Sequence, residues 1–252
     1  MKYYSTNGKA PLASLEKAVV QGLAEDRGLY MPERIVPLSP EFLTHLGDYS
    51  FQDIACRVAD CFFGEDVPQD QLHALVRDTL SFDVPLVEVA PNIYSLELFH
   101  GPTLGHFIRQ SGEQRLVNVL VATSGDTGSA VANGFLGVPG IHVYVLYPKG
   151  KVSPIQECQF TTLGQNITAL EIDGVFDDCQ ALVKSAFMDH ELTSHMRLTS
   201  ANSINVARFL PQSFYYFYAC AQLQRMGKQD RVVACVPSGN FGNICSALIG
   251  KR

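Results

Sequence analysis

The stretch Leu116-Val-Asn-Val-Leu-Val-Ala-Thr-Ser-Gly-Asp-Thr-Gly-Ser-Ala-Val-Ala-Asn133 decides how the rest of the chain is read. It opens with a nearly continuous apolar run, the pattern of a strand covered on both faces. The glycine- and hydroxyl-rich turn Thr123-Ser-Gly-Asp-Thr-Gly128 follows, and a helical pattern begins directly after it. Outward from this unit, β-branched runs alternate with amphipathic stretches. Strands are predicted at Ile93 to Phe99, Leu116 to Ala122, Ile141 to Tyr147, Ile167 to Ile172 and Arg231 to Val236. Helices are predicted at about 127 to 136, 153 to 163, 175 to 189 and 205 to 227, with Gly164 stopping the second and Pro211 kinking or splitting the last. Alternating β and α predicts an α/β fold, a mostly parallel sheet flanked by helices.

The region before the sheet, residues 1–92, reads as a small, mainly helical domain, leaving 93–252 as the α/β region. Leu12, Leu15, Val19 and Leu23 predict a helix that stops before the turn Asp26-Arg-Gly28. Phe51, Ile54, Ala55, Val58 and Phe62 recur at helical spacing behind Ser50, with Asp53 in the place where a capping box prefers Glu. A further helix opens at Pro68 and buries Leu72, Leu75, Val76 and Leu80.

Composition narrows the function classes. With 46% apolar and 17% charged residues in 252, disorder, coiled coil and collagen are excluded. Nineteen basic against twenty-five acidic side chains, with no basic cluster denser than Lys149-Gly-Lys151, argue against nucleic acid as a partner. The longest apolar runs, such as Phe214 to Ala221, are far below the ~18 to 20 residues that span a bilayer, so no membrane association is expected. No secretory signal pattern opens the sequence, and seven cysteines without a CxxC pair read as reduced core thiols in a cytoplasmic protein.

Ligands of an open parallel sheet collect outside the carboxyl ends of its strands. Two loops leaving such ends share one construction: Thr123 to Gly128, and Pro237-Ser-Gly-Asn-Phe-Gly-Asn243 before Ile244-Cys-Ser-Ala-Leu. Glycines let backbone N–H groups converge, hydroxyls add donors and a helix N-terminus adds partial positive charge, so each loop suits a phosphate or carboxylate. A single Gly-rich turn is as often plain punctuation; two on one sheet favour binding. The third loop, Tyr147-Pro-Lys149-Gly-Lys151-Val-Ser153, is either a solvated turn or a source of two ammonium groups for a dianion. His100 and His106 read as satisfied structural groups, and Phe214-Tyr-Tyr-Phe-Tyr218 as helix packing.

Five segments in register carry a resemblance: Glu97-Leu-Phe-His-Gly-Pro-Thr-Leu104, Thr123 to Gly128, Tyr147 to Ser153, Ser200-Ala-Asn-Ser-Ile-Asn205 and Pro237 to Asn243. Together with Tyr4-Ser-Thr and Gly28-Leu-Tyr-Met-Pro32, they resemble the threonine synthases over nearly the whole chain. That family has the tryptophan-synthase β-subunit fold (fold type II) and uses pyridoxal 5'-phosphate. The resemblance implies a lyase converting O-phosphohomoserine and water to threonine and phosphate. It implies that Ser238, Gly239, Asn240, Phe241, Gly242 and Asn243 cradle the cofactor phosphate. Ser124, Asp126 and Thr127 would meet the substrate carboxylate or the cofactor ring. Lys149, Lys151, Ser153, Asn202, Ser203, Asn205 and Arg208 would face the substrate phosphate.

One departure bears on the chemistry. The family continues Gly-Pro-Thr-Leu with Ala-Phe-Lys-Asp, whose lysine forms the Schiff base, whereas here Leu104 is followed by Gly105-His-Phe-Ile-Arg109. No lysine stands between Lys17 and Lys149. A block of roughly a dozen residues, three to four helical turns, is missing between two matching flanks, and the Leu104–Gly105 junction is expected to be a gap rather than a peptide bond. The family's C-terminal portion also lies beyond Arg252, so the catalytic residue is unassigned and the chain by itself is expected to be inactive. The alternatives are a threonine-synthase-like phospholyase that releases a keto acid, or an inactive relative that binds small phosphates. Monomer and homodimer both stay open.

Overall fold

The computed structural model describes residues 1–98, 116–200, 205–228, 231–236 and 241–251. Strand β1 (Tyr3–Ser5) pairs antiparallel with β2 (Tyr30–Pro32), and helix α1 (Leu15–Gln21) lies between them. The predicted Asp26 turn is the brace of this pair. The Asp26 carboxylate accepts from the Ser5 hydroxyl and from the amides of Lys9, Ala10 and Gly28, and these bonds hold its pKa down at about 2. Helices α2 (Pro40–Thr44), α3 (Phe51–Phe63) and α4 (Gln69–Thr79) follow. Ser50 accepts from the Asp53 amide and donates to its carboxylate, so Asp completes the box that the sequence pattern predicts. The predicted α3 stripe of Phe51, Ile54, Ala55, Val58 and Phe62 is buried.

The run beginning at Ile93 departs from expectation. Strand β3 (Leu86–Ala90) and strand β4 (Ile93–Leu96) form an antiparallel hairpin of their own, outside the parallel sheet. Pro91-Asn92 supplies the reason: Asn92 has φ 60, a left-handed conformation that asparagine tolerates in a tight turn, so the nearest segment folds back as the partner.

Strand β5 (Val117–Ala122), helix α5 (Asp126–Phe135), strand β6 (Ile141–Pro148), helix α6 (Pro154–Thr161), strand β7 (Ile167–Ile172), helices α7 (Phe176–Met188) and α8 (His190–His195), and strand β8 (Arg197–Ser200) build the α/β region. The sheet is fully parallel, in the order β7-β6-β5-β8. Every residue of β5 is buried. Val117, Val119 and Val121 pack with Val131, Phe135 and Phe160 from α5 and α6 on one face. Leu120 and Ala122 pack with Cys179 and Val183 from α7 on the other. The apolar run has no polar alternation because both faces carry helices.

Helix α9 (Val206–Phe209) leads into a 3-10 turn, Leu210–Gln212, then α10 (Ser213–Arg225) and, after the second glycine loop, α11 (Gly242–Gly250). The predicted helix over 205–227 is thus split at Pro211, which removes a backbone donor. Val206, Phe209, Leu210, Phe214, Ala221 and Ile249 join the core of α3 and α4, and Phe51 stacks on Tyr218 with ring centroids 4.7 Å apart. The aromatic run of α10 is packing, as the sequence predicts.

The predicted strand Arg231 to Val236 does not form: among the described residues it joins no strand ladder, and Val233 is 81% exposed. Apolar character favours a strand only when a neighbouring backbone satisfies its N–H and C=O groups. The reading of the cysteines as core thiols holds for Cys56, Cys61 and Cys179 and fails for Cys158, Cys220 and Cys235, which are exposed. No described helix is long and apolar enough to cross a membrane.

Candidate functional site

The strand order locates the site. From β5 the chain steps outward through β6 to β7, then returns across the sheet to lay β8 on the other side of β5. The reversal falls between β5 and β8, and the loops leaving these two strands flank the crevice where such sheets bind ligands. The one after β5 is Thr123–Gly125; after β8 the described chain resumes at Asn205.

The first loop is held by Thr123, which is buried. Its Oγ1 accepts from the amides of Gly125 (3.0 Å) and Gly128 (2.8 Å) and donates to the Gly125 carbonyl. Because Gly125, at the N-terminus of α5, has no side chain, Thr123 serves as the cap from outside the helix. Both glycines are required. Gly125 has φ +150, and a Cβ there would meet Gln156 Oε1 at 2.7 Å; a Cβ on Gly128 would come within 2.4 Å of Thr123 Cγ2. The tight turn leaves Ser124 exposed and Thr127 half-buried at the helix N-terminus, where free N–H groups and the helix dipole favour an anion. Asp126 opens α5; its side chain lies outside the described part.

The lysine turn adjoins this loop through α6. Ser153 caps α6, accepting from the Gln156 amide and donating to Gln156 Oε1. Gln156 in turn packs against Gly125, so the starts of α5 and α6 are in contact. Lys149 and Lys151 are exposed on the intervening turn, whose backbone is tied down by the Lys149 amide on the Ile172 carbonyl.

Beyond β8, Asn205 is buried and occupied: its Oδ1 accepts from the Ala207 amide and its Nδ2 donates to the Val19 carbonyl of α1. It caps α9 and fastens it to the N-terminal region. Arg208, one turn later, differs. Burial pushes its guanidinium down to about 10, and Nη1 has no hydrogen-bond partner among the described residues. A desolvated guanidinium nitrogen without an acceptor carries an unmet hydrogen-bond demand that an incoming anion can satisfy.

At the second glycine loop, Phe241 is exposed and Gly242 and Asn243 open α11. The Asn243 amide donates to Gln212 Oε1 at 2.9 Å and accepts from the Tyr216 hydroxyl. Among the expected site residues, Asn202, Ser203, Ser238, Gly239 and Asn240 lie outside the described residues, as do His100, His106 and the Leu104–Gly105 junction. Sequence reasoning missed Gln156, Gln212 and Tyr216. Gln156 had a signal, since Ser153-x-x-Gln156 follows the capping-box pattern; Gln212 and Tyr216 had none.

Residues 2–80 match the family described as threonine synthase N terminus. Threonine synthase of Haemophilus influenzae is 45% identical over 262 residues, covering all of this chain and 61% of that protein. Over its whole length the chain is similar to threonine synthases. The crystal structure of threonine synthase from Escherichia coli superposes with a TM-score of 0.90 at 40% identity, again over the whole chain and 61% of its counterpart. A pyridoxal-phosphate-bound threonine synthase from Brucella melitensis gives 0.77 at 38% identity over the whole chain and 57% of that structure. The chain therefore spans about three-fifths of the relatives it matches and has their fold type II architecture. The Haemophilus alignment runs over 262 residues against 252 here, so the family member carries about ten with no counterpart in this chain.

Proposed function

We propose threonine synthase activity for this protein: O-phospho-L-homoserine and water are converted to L-threonine and phosphate with pyridoxal 5'-phosphate as cofactor. The observation that carries the proposal is Arg208, whose desolvated guanidinium has a buried nitrogen with no partner among the described residues, on the helix that follows the switch-point strand. Elimination at the γ carbon requires the leaving phosphate to be held as a dianion, and a desolvated guanidinium stabilises that charge far better than a solvated one.

The residues present fit the cofactor. The N-terminal turn of α11 presents N–H groups that lack intrahelical acceptors, so Ser238 to Asn243 would hold the cofactor phosphate. Ser124, Asp126 and Thr127, at the start of α5, would orient the substrate carboxylate or the cofactor ring. Arg208, with Lys149, Lys151, Ser153, Asn202, Ser203 and Asn205, would bind the substrate phosphate; Ser153 and Asn205 do so only by giving up or sharing their capping bonds. When bound, pyridoxal phosphate supplies the electron sink for carbanion chemistry. The cytoplasmic setting, the division into 1–92 and 93–252, and a monomer or homodimer belong to the same proposal.

A second reading, a small-phosphate-binding relative without catalysis, is favoured by one observation: no lysine stands between Lys17 and Lys149. Titration with pyridoxal phosphate separates the two. A Schiff-base absorption band that borohydride converts into a modified lysine, with threonine and phosphate formed from O-phosphohomoserine, supports the enzyme. Saturable binding without that band supports the second reading. An Arg208→Met variant that binds O-phosphohomoserine as well as the parent would refute the assignment of Arg208.

A further inference from the structure

The reading above gives Asn243 to the cofactor phosphate, yet both ends of its side-chain amide are already bonded within the protein. Its Nδ2 donates to Gln212 Oε1 at 2.9 Å and its Oδ1 accepts from the Tyr216 hydroxyl. Those partners fix which end of the amide is which, because a flip would set carbonyl against carbonyl. Gln212 is itself committed at both ends, since its Nε2 donates to the Arg208 carbonyl at 3.1 Å. The segment bearing Gln212 is pinned: Phe209 and Leu210 are buried, and Ser213 Oγ donates to the Leu210 carbonyl at 2.7 Å.

We infer that Gln212 is a positioning residue that grips the Asn243 side chain and joins the N-terminal turn of α11 to the turn bearing Arg208. This rests on the function proposed above and adds to it. Asn243 serves the cofactor phosphate through its backbone N–H, which lies in the first turn of α11 where no intrahelical acceptor exists. The side chain orients that amide from behind. The same carboxamide links the loop to Arg208, so the cofactor-phosphate end and the substrate-phosphate end share one spacing. Only a glutamine-type group accepts from Asn243 and donates to the Arg208 carbonyl at once; leucine fills the space with neither bond, and glutamate lacks the second.

The test uses Gln212→Leu and the milder Tyr216→Phe, which keeps the ring, with two readouts. Without ligand, hydrogen exchange at the Cys245 amide, which closes the first turn of α11 on the Phe241 carbonyl, should be about tenfold faster in Gln212→Leu and accelerated less in Tyr216→Phe. With ligand, the Kd for pyridoxal phosphate should rise about tenfold in Gln212→Leu, while pyridoxal, which lacks the phosphate, should change little. Adding Asn243→Ala to Gln212→Leu should weaken pyridoxal phosphate binding no further. Parental exchange and parental affinity in Gln212→Leu, or additive losses in the double variant, would overturn the inference. Failure of the parent protein to bind pyridoxal phosphate, with exchange still accelerated in Gln212→Leu, would overturn the functional reading and leave the positioning role standing.

Discussion

Two segments of this chain have the same construction in sequence and opposite fates in structure. Val117 to Ala122 runs into a glycine loop and helix α5; Arg231 to Val236 runs into a glycine loop and helix α11. The first is the buried centre of a parallel sheet, with β6 on one side and β8 on the other. The second forms no ladder with another strand among the described residues and is largely exposed. The runs Val-Asn-Val-Leu-Val-Ala and Arg-Val-Val-Ala-Cys-Val differ little in β propensity. The difference lies in the neighbours: β5 exchanges backbone bonds with two strands and has helices on both faces, whereas 231–236 is in no strand ladder among the described residues.

The strongest way to break this comparison is to place the same charge in both segments. Val121→Asp buries a carboxylate at a position with 0% exposure and should cost more than about 4 kcal/mol, seen as loss of cooperative unfolding. Val233→Asp, at 81% exposure, should change stability by no more than about 0.5 kcal/mol in urea titration. Equal effects would mean that 231–236 is paired in solution.

The next largest effect falls on the loop that follows β5. Gly128→Ala drives a methyl to within 2.4 Å of Thr123 Cγ2 and should cost about 1–3 kcal/mol. Thr123→Val keeps the shape but strands the amides of Gly125 and Gly128, with an expected loss of about 1–3 kcal/mol. Chemical denaturation measures both. A neutral Thr123→Val would show that water replaces the hydroxyl and that Thr123 does not hold this loop.

The N-terminal strand pair sharpens the contrast with the smallest effect. β1 and β2 are three residues each, too short to hold by their ladder alone, and the Asp26 carboxylate braces them. Its pKa is depressed to about 2 from an ordinary value of 3.8, so the folded state binds the proton less readily than the unfolded one. The resulting stabilisation is complete above about pH 4 and is lost as the pH falls towards 2. Asp26→Asn should lower stability at neutral pH and flatten the acid limb of the stability profile between pH 4 and 2. An unchanged slope would assign acid sensitivity to other carboxylates.

The comparison also separates what was legible in the chain from what was not. Helices α3, α5, α6 and α7 were readable to within two residues, because Ser50, Ser153, Gly164 and the apolar spacing are local signals. β8 was not: Arg197-Leu-Thr-Ser200 has a single strongly apolar residue and becomes a strand by docking beside β5. Without it the strand order has no reversal, and the crevice beside Thr123–Gly125 cannot be located. The hairpin of β3 and β4 was hidden similarly, since the apolar content of Ile93 to Leu96 does not say which backbone it will pair with.

The site was half-visible for the same reason. Glycine loops before helices announce candidate anion-binding ends through residue type alone, so Thr123 to Gly128 and Pro237 to Asn243 stand out in the sequence as the proposed site. Which side chains are free to meet a ligand depends on partners distant in sequence. Asn205 is engaged by Val19, Asn243 by Gln212 and Tyr216, and Arg208 Nη1 alone of these polar groups is left without a partner among the described residues. The sequence by itself determined the α/β class, the caps, the turn residues and the similarity to threonine synthases, because these follow from local periodicity and from motifs in fixed order. The tertiary structure decided which apolar runs become strands, where the sheet reverses and which polar groups are committed, because backbone pairing and desolvation are set by contacts that the chain makes only once it has folded.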